Sequence, residues 1–122
     1  MAKTDIRTKE DIQRLVETFY ASVKPDPVIG HFFTGLDWDH HIPLITSFWA
    51  MVLLGERTYT GDPMTAHRRL HQRMPMQRSH FDHWLSIWEH TVDELFAGMV
   101  ADEAKQRAHS IAAVMAHKVT GT

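Results

Sequence analysis

His67 stands at the end of the segment Tyr59-Thr-Gly61-Asp-Pro63-Met-Thr-Ala-His67, between two stretches loaded with large apolar side chains. Upstream lie Phe48, Trp49, Met51, Val52, Leu53 and Leu54; downstream lie Phe81, Trp84, Leu85, Ile87 and Trp88. An imidazole delivered between two such walls can be the single axial ligand of a flat apolar cofactor. That is the chemistry of a haem site, where the macrocycle supplies the remaining in-plane ligands. The plain alternative is a half-buried structural histidine, and the chain has ten histidines in all.

The rivals are of two kinds. His67/His71 are spaced i, i+4, His80/His83 i, i+3 and His83/His90 i, i+7, spacings that suit a zinc or nickel ion. No HExxH motif is present and no Glu-x-x-His repeats, and His80, His83 and His90 fall mostly off the apolar stripe Phe81–Trp84–Trp88, which favours solvated histidines. With no cysteine, thiolate-ligated metals, disulfides and thiol catalysis are excluded. Ser79, Ser86 and Ser110 lie in no nucleophile motif, and there is no glycine-rich phosphate loop. What is left is cofactor chemistry or none.

Polar groups that could face a ligand are few. Tyr20 sits at an inner position after Ile12, Val16 and Phe19, and a buried hydroxyl needs a partner. His41 heads the stripe His41–Ile45–Phe48–Val52, and the indole N–H of Trp84 is a donor in search of an acceptor. Phe32, Phe33, Phe48, Trp49, Trp88 and Met115 are of types more often found as core than as cofactor wall; with Tyr59, Met64, Leu70 and His71 they line a pocket only if the cofactor exists. Arg68, Arg69, Arg73 and Arg78 read as a solvated face that could also pair carboxylates of a cofactor.

Helices must position these groups. Ile12, Leu15, Val16, Phe19, Tyr20 and Val23 recur at three and four, with Thr8 and Asp11 as a capping box and Pro25 and Pro27 as the stop. Residues 27–33 read as a tight helical turn. A second helix is predicted over 39–54, closed by Gly55, with Pro43 tolerated in its first turn and inner positions His41, Ile45, Phe48 and Val52. Pro63 opens a helix of about two turns holding Met64, His67, Leu70 and His71, followed by a connection over 72–78. A long helix through Phe81, Trp84, Leu85, Trp88, Val92, Leu95 and Phe96 and a last one through Ala104, Ala108, Ile111 and Met115 complete an all-α chain with no convincing strand.

The totals agree. A chain of 122 residues forms one domain, 1–122 with a core over 5–120. Thirteen Lys plus Arg against fifteen Asp plus Glu gives no basic face for nucleic acid. The longest apolar run, Phe48–Leu54, has seven residues, where a membrane span needs about 20. The N-terminal stretch lacks an apolar signal core, so a soluble, cytoplasmic protein is expected, with monomer as the default because no heptad demands a partner.

In order along the chain, several stretches resemble one family: Phe19-Tyr20; Ile29-Gly30-His31-Phe32-Phe33; Trp38-Asp-His-His41 with Phe48-Trp49; Leu53-Leu54-Gly55; Tyr59-Thr-Gly61-Asp-Pro63 leading to His67; His80-Phe81-x-x-Trp84-Leu85; and the Ala-x-x-Ala pattern through Ile111. Over about residues 5 to 118 the chain resembles the truncated haemoglobins, most closely their group III branch. The glycine pairs of the other branches are missing. The resemblance implies a truncated globin-like two-over-two helical sandwich around haem b. It implies His67 as the axial iron ligand and Tyr20 and Trp84 as a distal hydrogen-bonding pair. His41 would be a distal histidine able to gate the pocket, Ile45 the apolar residue above the iron and Phe33 the ring packed on the porphyrin.

The implied activity is reversible binding of dioxygen and other diatomics (NO, CO), with high affinity and slow release. A nitric-oxide-detoxifying or peroxidase-like side activity fits, with electrons from a separate reductase. The alternative is a haem-free helical interaction module, or a zinc protein built on histidines.

Overall fold

Thr8 starts the first helix as the sequence predicts. Its hydroxyl accepts from the Asp11 N–H at 3.2 Å, and the Asp11 carboxylate accepts from the N–H groups of Thr8 and Arg7. The computed structural model describes residues 2–121; Met1 and Thr122, part of the predicted domain, lie outside the described residues. Helix α1, Lys9–Val23, buries Ile12, Leu15, Val16, Phe19, Tyr20 and Val23. The Asp26 carboxylate then accepts from the Val28 and Ile29 N–H groups, a turn that leads into the 3-10 segment Gly30–Phe33.

Helix α2, Trp38–Leu54, begins one residue before the predicted start and ends at Gly55. Its interior differs from expectation. The fully buried residues are Thr46, Trp49 and Ala50, whereas His41, Ile45, Phe48 and Val52 are half-buried. The helix has two apolar stripes about 100° apart. One packs on α1, and the other borders the site described below.

Asp62 caps helix α3, Pro63–Arg73, by accepting from the Thr65 N–H at 3.1 Å, with Pro63 in the first turn. At 11 residues α3 outlasts the predicted two turns, and the connection to α4 shrinks to residues 74–77. Helix α4, Arg78–Leu95, pairs with α5, Met99–Thr120. Ala101, Ala104, Ala108, Ala112 and Ala116 are buried at helical spacing, so the backbones of α4 and α5 approach closely. The pairs α1/α2 and α4/α5, joined through α1 against α4, form a two-over-two sandwich, with α3 resting on α5. All regular structure among the described residues is helical.

The N-terminal segment is fastened to the α4–α5 corner, which the sequence pattern did not reveal. Ile6 is buried, and the Asp5 carboxylate accepts from the Val100, Ala101 and Ile6 N–H groups at 2.8–2.9 Å. Gly98, with φ 143°, permits this, since a Cβ there would sit 2.5 Å from the Asp5 Cγ. Burial pushes the Asp5 pKa up, but its three backbone donors and Arg7 outweigh that and hold it below the ordinary 3.8. Asp5→Ala is therefore expected to cost about 1–2 kcal/mol, read from the urea midpoint at pH 7. A group with a lowered folded pKa stabilises above its unfolded value. The gap between wild type and variant should thus close as pH falls from about 4 through the lower folded value.

Candidate functional site

The inward face of α3 presents the His67 imidazole. Its Nδ1 lies 2.6 Å from the Pro63 carbonyl oxygen, one turn earlier. The carbonyl can only accept, so Nδ1 carries the proton and Nε2 is left with a free lone pair. Burial lowers the His67 pKa, partly offset by the Pro63 hydrogen bond, and the ring is neutral at physiological pH. The loop before α3 is shaped by Tyr59, which meets Phe48 edge-on at 5.3 Å and lies over Gly61. A Cβ on Gly61 would come 2.5 Å from the Tyr59 hydroxyl, so a larger residue there would displace the Tyr59 ring from its place over the cap of α3.

Across from α3, Tyr20 of α1 and His41 of α2 meet at 3.1 Å between Oη and Nε2. Burial raises the Tyr20 pKa, keeping the phenol protonated as a donor. His41 is pushed down by burial and then by the nearby rings of His67 and His40, so a neutral imidazole on α2 lies within electrostatic reach of the one on α3. Around Tyr20 stand Phe19 at 4.9 Å, Trp38 at 5.1 Å and Phe33 at 5.6 Å, all edge-on. Trp84 of α4 is half-buried against Phe19, and its indole N–H has no acceptor among the described residues.

Ile45, Phe48, Tyr59, Met64, Leu70, Phe33 and Trp84 are half-buried and come from four different elements. Three other residues predicted for the wall are buried, and the fourth closes a turn. Trp49 is buried in the core, stacked on Trp88 at 4.5 Å, and Phe32 is buried against His31 and His80. Met115 is buried with Phe81, Ala112 and Ala116, beside Met64 and Trp84. The Nδ1 of His71 accepts from the Met76 N–H at 2.8 Å and closes the turn after α3.

The remaining histidines do not assemble a metal centre. No group of three or more His, Asp or Glu among the described residues could hold an ion. His83, expected as solvated, instead pairs with both oxygens of Asp26 at 2.9–3.0 Å, tying α4 to the turn after α1. Sequence reasoning also missed Phe19 and Trp38 as ring neighbours of Tyr20. The Trp38 spacing of three from His41 was the available signal.

Sequence and backbone comparisons bear on this arrangement. The family model for bacterial-like globin matches residues 4–120. A group 3 truncated haemoglobin of Campylobacter jejuni is 31% identical over 116 residues, covering 90% of this chain and 89% of the relative. A group 1 truncated haemoglobin of Tetrahymena pyriformis is 36% identical over 80 residues, 66% of this chain and 64% of its own length. The crystal structure of a group III truncated haemoglobin from Campylobacter jejuni superposes with a TM-score of 0.86 at 30% identity, covering 97% of this chain and 95% of that one. A 2/2 haemoglobin of Synechococcus, solved with covalently attached haem, shares the fold at TM-score 0.81 and 22% identity, covering 93% of each chain.

The chain belongs to the bacterial-like globin family, as a truncated haemoglobin of the group III branch. Its cofactor is haem b, and its activity is haem-based binding of dioxygen and other diatomic ligands. The donor set fits that group. A neutral imidazole with a free Nε2 lies within electrostatic reach of a second neutral imidazole that is bonded to a protonated phenol, among partly exposed apolar side chains that a flat macrocycle would cover.

Proposed function

We propose that the chain is a monomeric cytoplasmic haem protein that binds dioxygen tightly and releases it slowly, with His67 as the sole axial protein ligand. The observation that carries this reading is the proximity of two neutral imidazoles from different helices: His67 with its Nε2 free, and His41 held by Tyr20. Bound haem supplies the iron bond to a diatomic ligand. The protein supplies donors, Tyr20 through its hydroxyl and Trp84 through its indole N–H, in a space that aromatic rings keep dry. Ile45 limits the room beside them, and His41, half-buried at the head of α2, gates access.

Slow release suits redox turnover better than oxygen delivery. Conversion of nitric oxide and dioxygen to nitrate consumes one electron per cycle. The proposal therefore includes a separate reductase partner, and peroxidase-like turnover is the second redox chemistry the pocket would serve.

Titrating the purified chain with hemin tests the reading. The expected result is an intense Soret band that saturates at one haem per chain, followed by slow oxygen dissociation in stopped flow after reduction. A preparation that stays colourless with hemin overturns it and favours a haem-free helical module.

A further inference from the structure

Three indoles from two helices stack together beside the distal donors. Trp84 and Trp88 are one turn apart on α4, with ring centroids at 6.0 Å and planes within 7°. Trp88 also stacks on Trp49 of α2, at 4.5 Å and 20°. Phe19 of α1 presses edge-on against both α4 indoles, at 5.7 Å from Trp84 and 5.1 Å from Trp88. The Trp88 N–H donates to the Ala104 carbonyl of α5 at 3.2 Å, and the residue is fully buried. Trp88 is thus held from α1, α2 and α5 at once, whereas Trp84 stacks on Trp88, meets Phe19 edge-on, packs beside the Phe81–Met115 cluster and makes no hydrogen bond of its own among the described residues.

We infer that Trp88 is a positioning residue: it fixes the plane of the Trp84 indole and so the direction in which Trp84 presents its N–H to a ligand. The inference rests on the proposed donor role of Trp84. A free indole turns about two side-chain torsions, and an N–H donor weakens steeply once it departs from linearity. A parallel neighbour that cannot itself turn removes that freedom. Offset stacking and edge contacts have preferred geometries, so the restraint is directional rather than mere filling.

The test compares Trp88→Phe, Trp84→Phe and the double variant, each reconstituted with hemin and reduced. Oxygen dissociation is read by stopped flow, and the C–O stretch of the carbon monoxide complex by infrared spectroscopy. Trp88→Phe is expected to raise the dissociation rate roughly three- to tenfold and to broaden or split the C–O band. The double variant should release oxygen no faster than Trp84→Phe alone, because Trp88 acts only through Trp84.

An unchanged rate with a single sharp band in Trp88→Phe, while Trp84→Phe is fast, overturns the inference and leaves the proposed function standing. So do effects that multiply in the double variant. An unchanged rate in Trp84→Phe overturns the donor role and the inference with it. If Trp88→Phe takes up no haem, Trp49→Phe, one ring further from the ligand, substitutes for it. It should shift rate and band in the same direction by less, and an unchanged rate there overturns the inference. Near-UV circular dichroism of the protein without haem gives an independent readout, since coupling between stacked indoles should collapse in Trp88→Phe and only weaken in Trp49→Phe, where the Trp84–Trp88 pair remains.

Discussion

His67→Gly is expected to abolish normal haem ligation and to lower hemin affinity by about 100-fold or more, the upper end of what even supporting groups around a metal cost. The size follows from the single protein bond. In the proposed arrangement a bound haem would be held to the chain chiefly through the His67 imidazole, so its loss would remove the one strong link. The Soret band should shift and weaken, and free imidazole added to the variant should restore it, because the glycine leaves room for the ring. His71→Ala, one turn on, is the control. That ring accepts a hydrogen bond from the Met76 N–H, so its loss should leave the haem spectrum intact. An unaltered spectrum in His67→Gly would remove His67 from the axial position.

Tyr20→Phe should accelerate oxygen dissociation by roughly one to two orders of magnitude, the equivalent of about 1–3 kcal/mol for a hydrogen bond to a partly charged partner. The substitution is nearly isosteric. It keeps the edge contacts with Phe19, Phe33 and Trp38 and deletes only the hydroxyl. It also strips His41 of its partner at 3.1 Å, so the imidazole gains freedom and entry should quicken as well. Stopped-flow mixing of the oxygenated protein with carbon monoxide reads the release rate directly. A rate that stays the same or falls would rule out direct donation by Tyr20.

Helix α1 could be read residue by residue from the sequence, because one apolar stripe faces one core and all six of its predicted inner residues are buried. Helix α2 could not, since apolar residues cover two adjacent stripes and periodicity alone does not say which is core and which borders a pocket. Helix α3 runs to Arg73 because no breaker intervenes before Pro75, although its apolar pattern fades earlier. At the site, the types and faces of His67, Tyr20 and His41 were legible from spacing. The link from His67 Nδ1 to a carbonyl four residues back follows from helical geometry once the helix is known.

Long-range partners were not legible. Asp26 and His83 are 57 residues apart, and nothing local marks them as a pair. The i, i+4 spacing put Trp84 and Trp88 on one face of α4, but neither their stacking nor the third ring, Trp49 from another helix, could be read from it. Trp49 suits a pocket wall by type, and only packing shows it buried against Trp88.

No residue of α3 is fully buried, and the helix is held by its Asp62 cap, by half-buried contacts and by short loops at each end. Local opening follows the weakest tertiary support, so α3 is expected to unlatch before the α1/α2 and α4/α5 pairs. Cofactor uptake and loss then depend on the breathing of three helical turns rather than on global unfolding. A bond from His67 to a seated macrocycle would lock that breathing, so the bond proposed to hold the haem would also shut the door through which it enters.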